Sequence, residues 1–426
     1  MIVTLNPSSI RGSIRAPRSK SSMQRACAAA LLSEGETLIK NPGVSNDDKA
    51  ALDVIQQLGA SVKFHRDHLL ISSKGLKPVS NLVNVGESGL GVRMFAPIVA
   101  LSALEITISG KGSLVNRPMN FFDQVFPKLG IEIKSNNGRL PLIIKGPLKP
   151  GNIEVDGSLS SQFITGLLMA YPAAGASDVT IKVIDLHSKP YIDLTLDVMK
   201  HFGINVVNNN YQVFYFPKVK TRYQPKTFNV EGDWSGSAFL LVAGAIAGNI
   251  TVEDLNIASS QADKKILEAL KDCKATLDIN ETKIGVGSGS LKAFEFDATD
   301  CPDLFPPLVA LASYCHGITR LKGITRLTHK ESNRALTLQQ EFGKLGIDII
   351  LKDDELFVNG GRVRGGTVSS HHDHRIAMAC AVAGLKADGP VRIGGADAVK
   401  KSYPDFFDDI GKLGGAVEIE QSSINS

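Results

Sequence analysis

LDVIQQLGASV (residues 52–62) carries apolar residues at Leu52, Val54, Ile55 and Leu58, closes on Gly59 and runs on into a short β-like segment. Spacings of three and four residues put that apolar set on one face of a helix, and a glycine just past the last apolar residue is the usual left-handed C-cap. The phrase returns as FDQVFPKLGIEI (122–133), LDVMKHFGINV (196–206), LQQEFGKLGIDI (338–349) and FDDIGKLGGAV (407–417). A weaker copy, ILEALKDCKATL (266–277), lacks the glycine. Gly59, Gly130, Gly203, Lys274, Gly346 and Gly414 then stand 71, 73, 71, 72 and 68 residues apart, so six copies of about 71 residues fill the 426-residue chain.

A second series is interleaved with the first. SMQRACAAALL (22–32), GVRMFAPIVAL (91–101), SQFITGLLMAY (161–171), GSAFLLVAGAI (236–246), PDLFPPLVALA (302–312) and DHRIAMACAVAG (373–384) are apolar nearly all round. Helices of that kind are buried. Each unit therefore reads as β-rich chain, a buried helix, more strand, and an amphipathic helix that covers it. The class is α/β, and six units divide into three and three. The expected domains are residues 14–231 and residues 1–13 with 232–426, joined by chain crossings near 14–17 and Glu231, with the first strand (1–5) in the C-terminal half. Two domains joined in this way suit hinge closure.

Composition narrows the function. Lys+Arg of 47 against Asp+Glu of 43 leaves a net charge of +4, and aromatic residues are 6%. Neither a polyanion-binding surface nor a base-stacking one is expected, so no nucleic-acid partner is. The five cysteines (Cys27, Cys273, Cys301, Cys315, Cys380) are scattered and never spaced CxxC, which fits a reducing cytoplasm better than a disulfide framework or a thiolate zinc site. No signal peptide is expected, and the longest apolar run, 238–248, has 11 residues, too few for a membrane span. The chain reads as a cytoplasmic protein with no membrane partner.

The chemistry is expected at the starts of the buried helices. There the unpaired N–H groups and the positive dipole end attract anions. These starts carry Ser19-Lys20-Ser21 with Arg25, Gly89 with Arg93, Ser160-Ser161-Gln162, and Asp373-His374-Arg375. A cation at that end opposes the dipole, and an anionic ligand would resolve the conflict; a solvated basic residue is the alternative at any single cluster. GVGSGS (285–290) reads as a hairpin turn rather than a nucleotide loop, and neither G-x-x-x-x-G-K-[ST] nor G-x-S-x-G occurs. His371, His372, Asp373 and His374 are adjacent and cannot readily converge on one ion, so no metal is expected.

SIRAPRSKSSMQRACAAALL (13–32), ESGLGVRMFAPIVAL (87–101), RPMNFFDQVFPKLG (117–130), VDGSLSSQFITGLLMA (155–170), HSKPYIDLTLDVM (187–199), VEGDWSGSAF (230–239), CPDLFPPLVALA (301–312), KESNRA (330–335), DHRIAMA (373–379) and KKSYPDFF (400–407) resemble, in order, the 5-enolpyruvylshikimate-3-phosphate synthase family. The resemblance implies a two-domain inside-out α/β barrel with three βαβαββ repeats per domain and the active site in the cleft between domains. It implies 3-phosphoshikimate 1-carboxyvinyltransferase activity in the shikimate pathway to chorismate and the aromatic amino acids. The enolpyruvyl group of phosphoenolpyruvate passes to the 5-hydroxyl of shikimate 3-phosphate by addition and elimination. These two small molecules are the expected partners, no cofactor is expected, and the expected state is a monomer.

Carried over by motif, the resemblance assigns Lys20, Ser21, Arg25, Ser160, Ser161, Gln162, Ser188, Tyr191, Asp303 and Lys330 to shikimate 3-phosphate. It assigns Lys20, Gly89, Arg117, Gln162, Arg334, Arg375 and Lys401 to phosphoenolpyruvate. Asp303 is the expected base at the 5-hydroxyl and Glu331 the acid–base at C3, with Lys20 assisting. Asp303 is equally placed to be the N-cap of the helix at 304–312. The related UDP-N-acetylglucosamine enolpyruvyl transferases usually carry a reactive cysteine in a loop near 110–118, where this chain has none. A non-catalytic anion-binding protein is the remaining alternative, and joint retention of Lys20, Asp303, Glu331 and Lys401 argues against it.

Three places in the chain depart from the family pattern, two single residues and one loop. Arg18 stands where Gly is common, Arg326 where Asn is frequent, and the loop 87–94 reads ESGLGVRM where N-A-G-T-A-M-R-P is usual. Leu90 and Met94 thus replace Thr and Pro beside Gly89, where the resemblance places the glyphosate-binding part of the phosphoenolpyruvate site. Leu offers no hydroxyl, and losing Pro frees a fixed φ. Weaker glyphosate inhibition is expected, with substrate use less affected. Installing Leu90→Thr with Met94→Pro should lower the ratio of the inhibition constant to the KM for phosphoenolpyruvate; an unchanged ratio would make the departure neutral.

Overall fold

The structure, a computed structural model, describes residues 1–420. The chain forms two compact units, one of Arg18–Val230 and one of Met1–Pro17 with the chain from Glu231 onward. The first boundary falls later than Ser13 because the strand Ile10–Arg15 runs parallel to Gly248–Glu253, pairing Ile14 with Val252 and Arg15 with Glu253. The strand Ile2–Asn6 lies in the same unit, antiparallel to both Val391–Gly394 and Ala416–Glu420.

The helices alternate in kind. The Arg18–Val230 unit holds α1 (Lys20–Leu32), α2 (Asn46–Gln57), α3 (Gly89–Val99), α4 (Asn120–Val125), α5 (Ser161–Ala173) and α6 (Lys189–His201). The other holds α7 (Trp234–Ala247), α8 (Ile266–Asp272), α9 (Phe305–Ala312), α10 (Arg334–Lys344), α11 (His374–Gly384) and α12 (Phe406–Lys412). The odd-numbered helices are the apolar series, and every residue of α3, α9 and α11 is buried. The even-numbered ones bury a stripe, such as Ile192, Thr195, Val198 and Met199 of α6. Within each unit the odd helices pack on one another, α3 on α5 and α7 on both α9 and α11. Burying a side chain such as Phe95 or Leu308 contributes roughly 1.5–3 kcal/mol.

The described residues form six four-stranded sheets, each with one parallel pair and two antiparallel pairings, as in Leu82–Asn84, Glu105–Ser109, Leu142–Lys145 and Glu132–Ser135. Burial alternates along these strands, so one face meets the helices and the other meets water. Within each unit the odd-numbered helices lie inside, because helices apolar all round must be covered on every side, and sheets and even-numbered helices cover them. Close approach matters at Gly166, where a Cβ would sit 2.4 Å from the Arg93 carbonyl oxygen, so only glycine lets α5 lie this close to α3. GVGSGS proves to be no hairpin turn. Its first three residues end the strand Lys283–Gly287, where Gly287 pairs with Thr276. The five cysteines are buried and free, and among the described residues no helix is long and apolar enough to cross a membrane.

All six equivalent helix-end positions are left-handed, at φ 109° for Gly59, 70° for Gly130, 89° for Gly203, 67° for Lys274, 81° for Gly346 and 102° for Gly414. Lys274 thus takes the cap conformation against its own Cβ, which costs roughly 1–2 kcal/mol before glycine's greater entropy loss is set against it. Lys274→Gly should therefore raise stability to urea by a few tenths to about 1 kcal/mol, while Gly346→Ala should lower it. A lower urea midpoint for Lys274→Gly would contradict this reading of the repeat.

Candidate functional site

In the unit that contains α7–α12, the candidate residues converge on one buried guanidinium. Arg334 is the first residue of α10, and its side chain is 1% exposed. Its Nη1 donates to Asp303 Oδ1 (2.8 Å), its Nη2 to Glu331 Oε2 (2.6 Å), and its Nε to Asp373 Oδ2 (2.8 Å). Asp373 is itself fully buried and caps α11, where its Oδ1 accepts from the Arg375 backbone N–H at 3.0 Å. Three more cations close the cluster. Lys330 Nζ lies 3.2 Å from Asp303 Oδ1, Arg375 Nη2 3.3 Å from Asp303 Oδ2, and Lys401 Nζ 3.3 Å from Glu331 Oε1.

This geometry sets the proton affinities. Burial works to raise the Asp303 carboxyl, but Arg375, Lys330 and Arg334 outweigh it and hold it well below the usual carboxylate range. Burial likewise works to lower Arg334, and Asp373, Glu331 and Asp303 reverse it, so the guanidinium stays charged. Burial lowers Lys330, against the pull of Asp303. Asp303 is not a helix cap. It sits in the single 3-10 turn Pro302–Leu304, α9 begins after it with no side-chain cap, and its oxygens go to the cations instead.

Asp263, which sequence reasoning passed over, belongs to the same neighbourhood. It is fully buried, Ser235 Oγ donates to its Oδ2, and its Oδ1 has no hydrogen-bond partner. Burial first, then the charge of Asp303, push it up to about 7, against the pull of Arg375.

In the unit that contains α1–α6, the candidates sit at the starts of α1, α3, α5 and α6. Lys20 opens α1, and its Nζ donates to Asp47 Oδ2 at 2.6 Å. Arg25, one turn on and buried, donates from Nη1 to the Ser21 carbonyl (2.8 Å), from Nε to Thr195 Oγ1 (2.8 Å) and from Nη2 to the Tyr191 carbonyl (3.3 Å). Burial lowers it to about 10, so it remains a cation at neutral pH. Ser188 precedes α6 in a left-handed conformation, φ 56°. Ser160 caps α5 by accepting from Gln162 N (3.2 Å), and Ser161 is that helix's first residue.

Gly89 opens α3 beneath a second group. A Cβ there would lie 2.6 Å from Arg117 Nη1, 3.6 Å from Arg93 Nη1 and 3.7 Å from Gln162 Oε1. Arg93 Nη1 donates to Gln162 Oε1 (2.8 Å), and its guanidinium lies 4.9 Å from the Phe163 ring centroid. Ser88 Oγ donates to Gln24 Oε1 (3.0 Å) and so ties the start of α3 to α1. Met94 is the sixth residue of α3 and fully buried, so the family's Pro would fall inside the helix, not near its start. Leu90 is then the departure that bears on this loop. Arg93, Asp47 and Asp373 are further members that lie outside the ligand set carried over by motif. The DHR motif puts Asp373 at the start of a buried helix, whereas Asp47 stands in a capping-box segment (45–48) with no chemical signature.

Each unit can therefore hold a multiply charged anion on fixed N–H donors and cations. A sequence profile described as EPSP synthase (3-phosphoshikimate 1-carboxyvinyltransferase) matches residues 5–410. The chain is 36% identical over 427 residues to a 3-phosphoshikimate 1-carboxyvinyltransferase of Clostridium novyi, covering 98% of each. It is 38% identical over 422 residues to one of Clostridium perfringens, covering 98% of this chain and 99% of that one. In fold it is similar to the EPSP synthase of Acinetobacter baumannii, with a TM-score of 0.82 at 24% identity over 99% of this chain and 100% of that one. It is also similar to the enolpyruvyl transferase NikO of Streptomyces tendae, with a TM-score of 0.78 at 15% identity over 98% of each chain.

The buried cluster makes a stability prediction. Arg334→Leu strands Asp373 without its cation and should cost about 3–5 kcal/mol, with Arg334→Lys recovering little because one ammonium cannot replace the fork. Asp303 has a folded pKa below its unfolded one, so its stabilisation is present above the unfolded value and lost as pH falls through the folded value. Urea unfolding of Asp303→Asn should therefore differ from the parent at neutral pH and converge with it below about pH 4. Parallel curves across that range would contradict the ion-pair assignment.

Proposed function

This chain belongs to the EPSP synthase (3-phosphoshikimate 1-carboxyvinyltransferase) family, and from that premise we infer its reaction and the part each residue plays. The enolpyruvyl group of phosphoenolpyruvate is transferred to the 5-hydroxyl of shikimate 3-phosphate, releasing phosphate. The observation that carries the reading is the pair Asp303 and Glu331, each held by cations of the kind that two anionic substrates require.

The cation groups of both units serve the one reaction. Two like unit charges at 4 Å cost about 4 kcal/mol at an effective dielectric of 20, so the substrates meet only where cations are already fixed. Ser21, Arg25, Ser160, Ser161, Gln162, Ser188, Tyr191 and Lys330 hold shikimate 3-phosphate. Gly89, Arg117, Gln162, Arg334, Arg375 and Lys401 hold phosphoenolpyruvate, and Lys20 serves both.

Asp303 takes the proton of the 5-hydroxyl as its oxygen bonds to C2 of phosphoenolpyruvate, and Glu331, which takes up a proton from solvent as phosphoenolpyruvate draws Arg334 and Lys401 away from it, delivers that proton to C3. In the second step Glu331 recovers that proton from C3, the C2–O bond to phosphate breaks, and the proton first taken from the hydroxyl leaves with phosphate or solvent. Without substrate, Asp303 is ionised but made a weak base by Arg375, Lys330 and Arg334. When the carboxylate and phosphate of phosphoenolpyruvate engage Arg334, Arg375 and Lys401, those charges are shared and the basicity of Asp303 rises.

Steady-state phosphate release, measured with and without shikimate 3-phosphate, tests the reaction. Arg117→Ala and Arg375→Ala should raise the KM for phosphoenolpyruvate far more than that for shikimate 3-phosphate; equal losses would count against the assignment. Glu331→Gln and Asp303→Asn should each lower turnover by at least ~10²-fold while calorimetric binding of shikimate 3-phosphate persists. Near-normal turnover in either variant would remove that residue from proton transfer.

A further inference from the structure

Seven residues beyond Arg334, α10 carries a second buried charge. Glu341 has a fully buried side chain, and two helical turns put it on the same face as Arg334. Its Oε2 accepts from the backbone N–H of Ser369 (2.8 Å), its Oε1 from His371 Nε2 (2.7 Å), and Lys344 Nζ donates to both oxygens at 2.8 Å. A carboxylate is costly to bury, and an apolar residue would fill a purely structural position on this face. Here every bond but the Lys344 pair goes to one short segment.

That segment is unusual. The chain from the end of the strand Gly366–Ser369 to the Asp373 cap passes through His371 (φ 50°) and His372 (φ 57°), two successive left-handed residues that are not glycine. L side chains adopt this conformation only where the surroundings enforce it. Ser369 Oγ accepts from His371 N and Ser370 Oγ from His372 N, each at 3.2 Å. Ser370 Oγ in turn donates to the Gly395 carbonyl at 2.8 Å, and Asp373 N donates to the Ser370 carbonyl at 2.8 Å. One helix therefore grips the turn at both ends, Glu341 at Ser369 and His371, and Arg334 at Asp373.

The turn delivers Asp373 and Arg375 into the cation cluster. We propose that Glu341, acting through His371 and the Ser369 amide, is a positioning residue for the reaction: it holds the left-handed turn 370–373 and thereby fixes the Arg375 guanidinium where phosphoenolpyruvate is bound. This rests on the reading of Arg375 as a phosphoenolpyruvate ligand. His371 Nε2 carries the proton of the contact, because a carboxylate can only accept. Releasing the clamp lets the turn relax and Arg375 move, and a shift well under 1 Å is expensive for a bidentate anion contact.

The test compares Glu341→Gln and His371→Gly with Arg375→Ala in the full-length enzyme, reading kcat, both KM values and the urea midpoint. Gln keeps the volume of Glu341 but loses its charge, and Gly accepts the left-handed turn but breaks the clamp, so His371→Gly is the variant that keeps the fold. Each should raise the KM for phosphoenolpyruvate by roughly tenfold and leave that for shikimate 3-phosphate within about twofold. The double variant should be no worse than the worse single one, because both cut the same link. An unchanged KM for phosphoenolpyruvate in His371→Gly, or equal rises for both substrates, would overturn the proposal and leave Glu341 a structural charge. If Arg375→Ala itself left that KM unchanged, the ligand assignment would fail and the proposal with it. A rise in Arg375→Ala without one in the clamp variants would overturn the proposal alone.

Discussion

The bonds from one buried guanidinium, Arg334, to Asp303, Glu331 and Asp373 hold the candidate chemistry in place. They join the turn before α9, the segment before α10 and the cap of α11, three places that are far apart in sequence. Taking such a group out of water costs several kcal/mol, and the cost is met only because each donor finds a carboxylate. Two of those carboxylates are the expected proton carriers. The interaction that assembles the cluster therefore also holds the proposed acid–base groups in a resting pair, which the charges of the proposed substrates would displace.

The repeat explains why such pairs form at helix starts. A buried apolar helix carries little charge along its length, so polar side chains collect within its first two turns, near the end where the unpaired backbone N–H groups point. Lys20, Gly89 and Ser161 are each the first residue of a buried helix, and Arg375 is the second residue of another. Ordinary capping favours acids there. The basic residues conflict with the dipole, and the structure meets that conflict with carboxylates: Asp47 for Lys20, and Asp303 for Arg375. An anion that binds these cations takes over the same role.

Much of this was legible in the sequence, and the rest was not for physical reasons. The left-handed helix ends could be read from glycine, and the period also placed the cap at Lys274, where residue type alone would not have. The GVGSGS segment looked like a turn because glycine is permissive, yet cross-strand pairing with Thr276 made it a strand end. Asp303 stood where a cap would stand, but long-range cations compete for its oxygens more strongly than the local N–H groups do. The partners Asp47 and Asp263 were invisible, because an ion pair across a fold leaves no local spacing. The Glu341 clamp was hidden for the same reason, within a stretch that reads as an ordinary amphipathic helix.

The central claim is that substrate charge takes over the cations that hold Asp303. Carboxyl-carbon NMR of the labelled protein, with the Asp303 resonance identified by its loss in Asp303→Asn, measures this directly. Without ligand that resonance should stay in its ionised position through the ordinary aspartate range, about pH 3 to 5, and with phosphoenolpyruvate bound its titration should move upward. An ordinary titration in the ligand-free protein, or no upward movement on binding, would contradict the account.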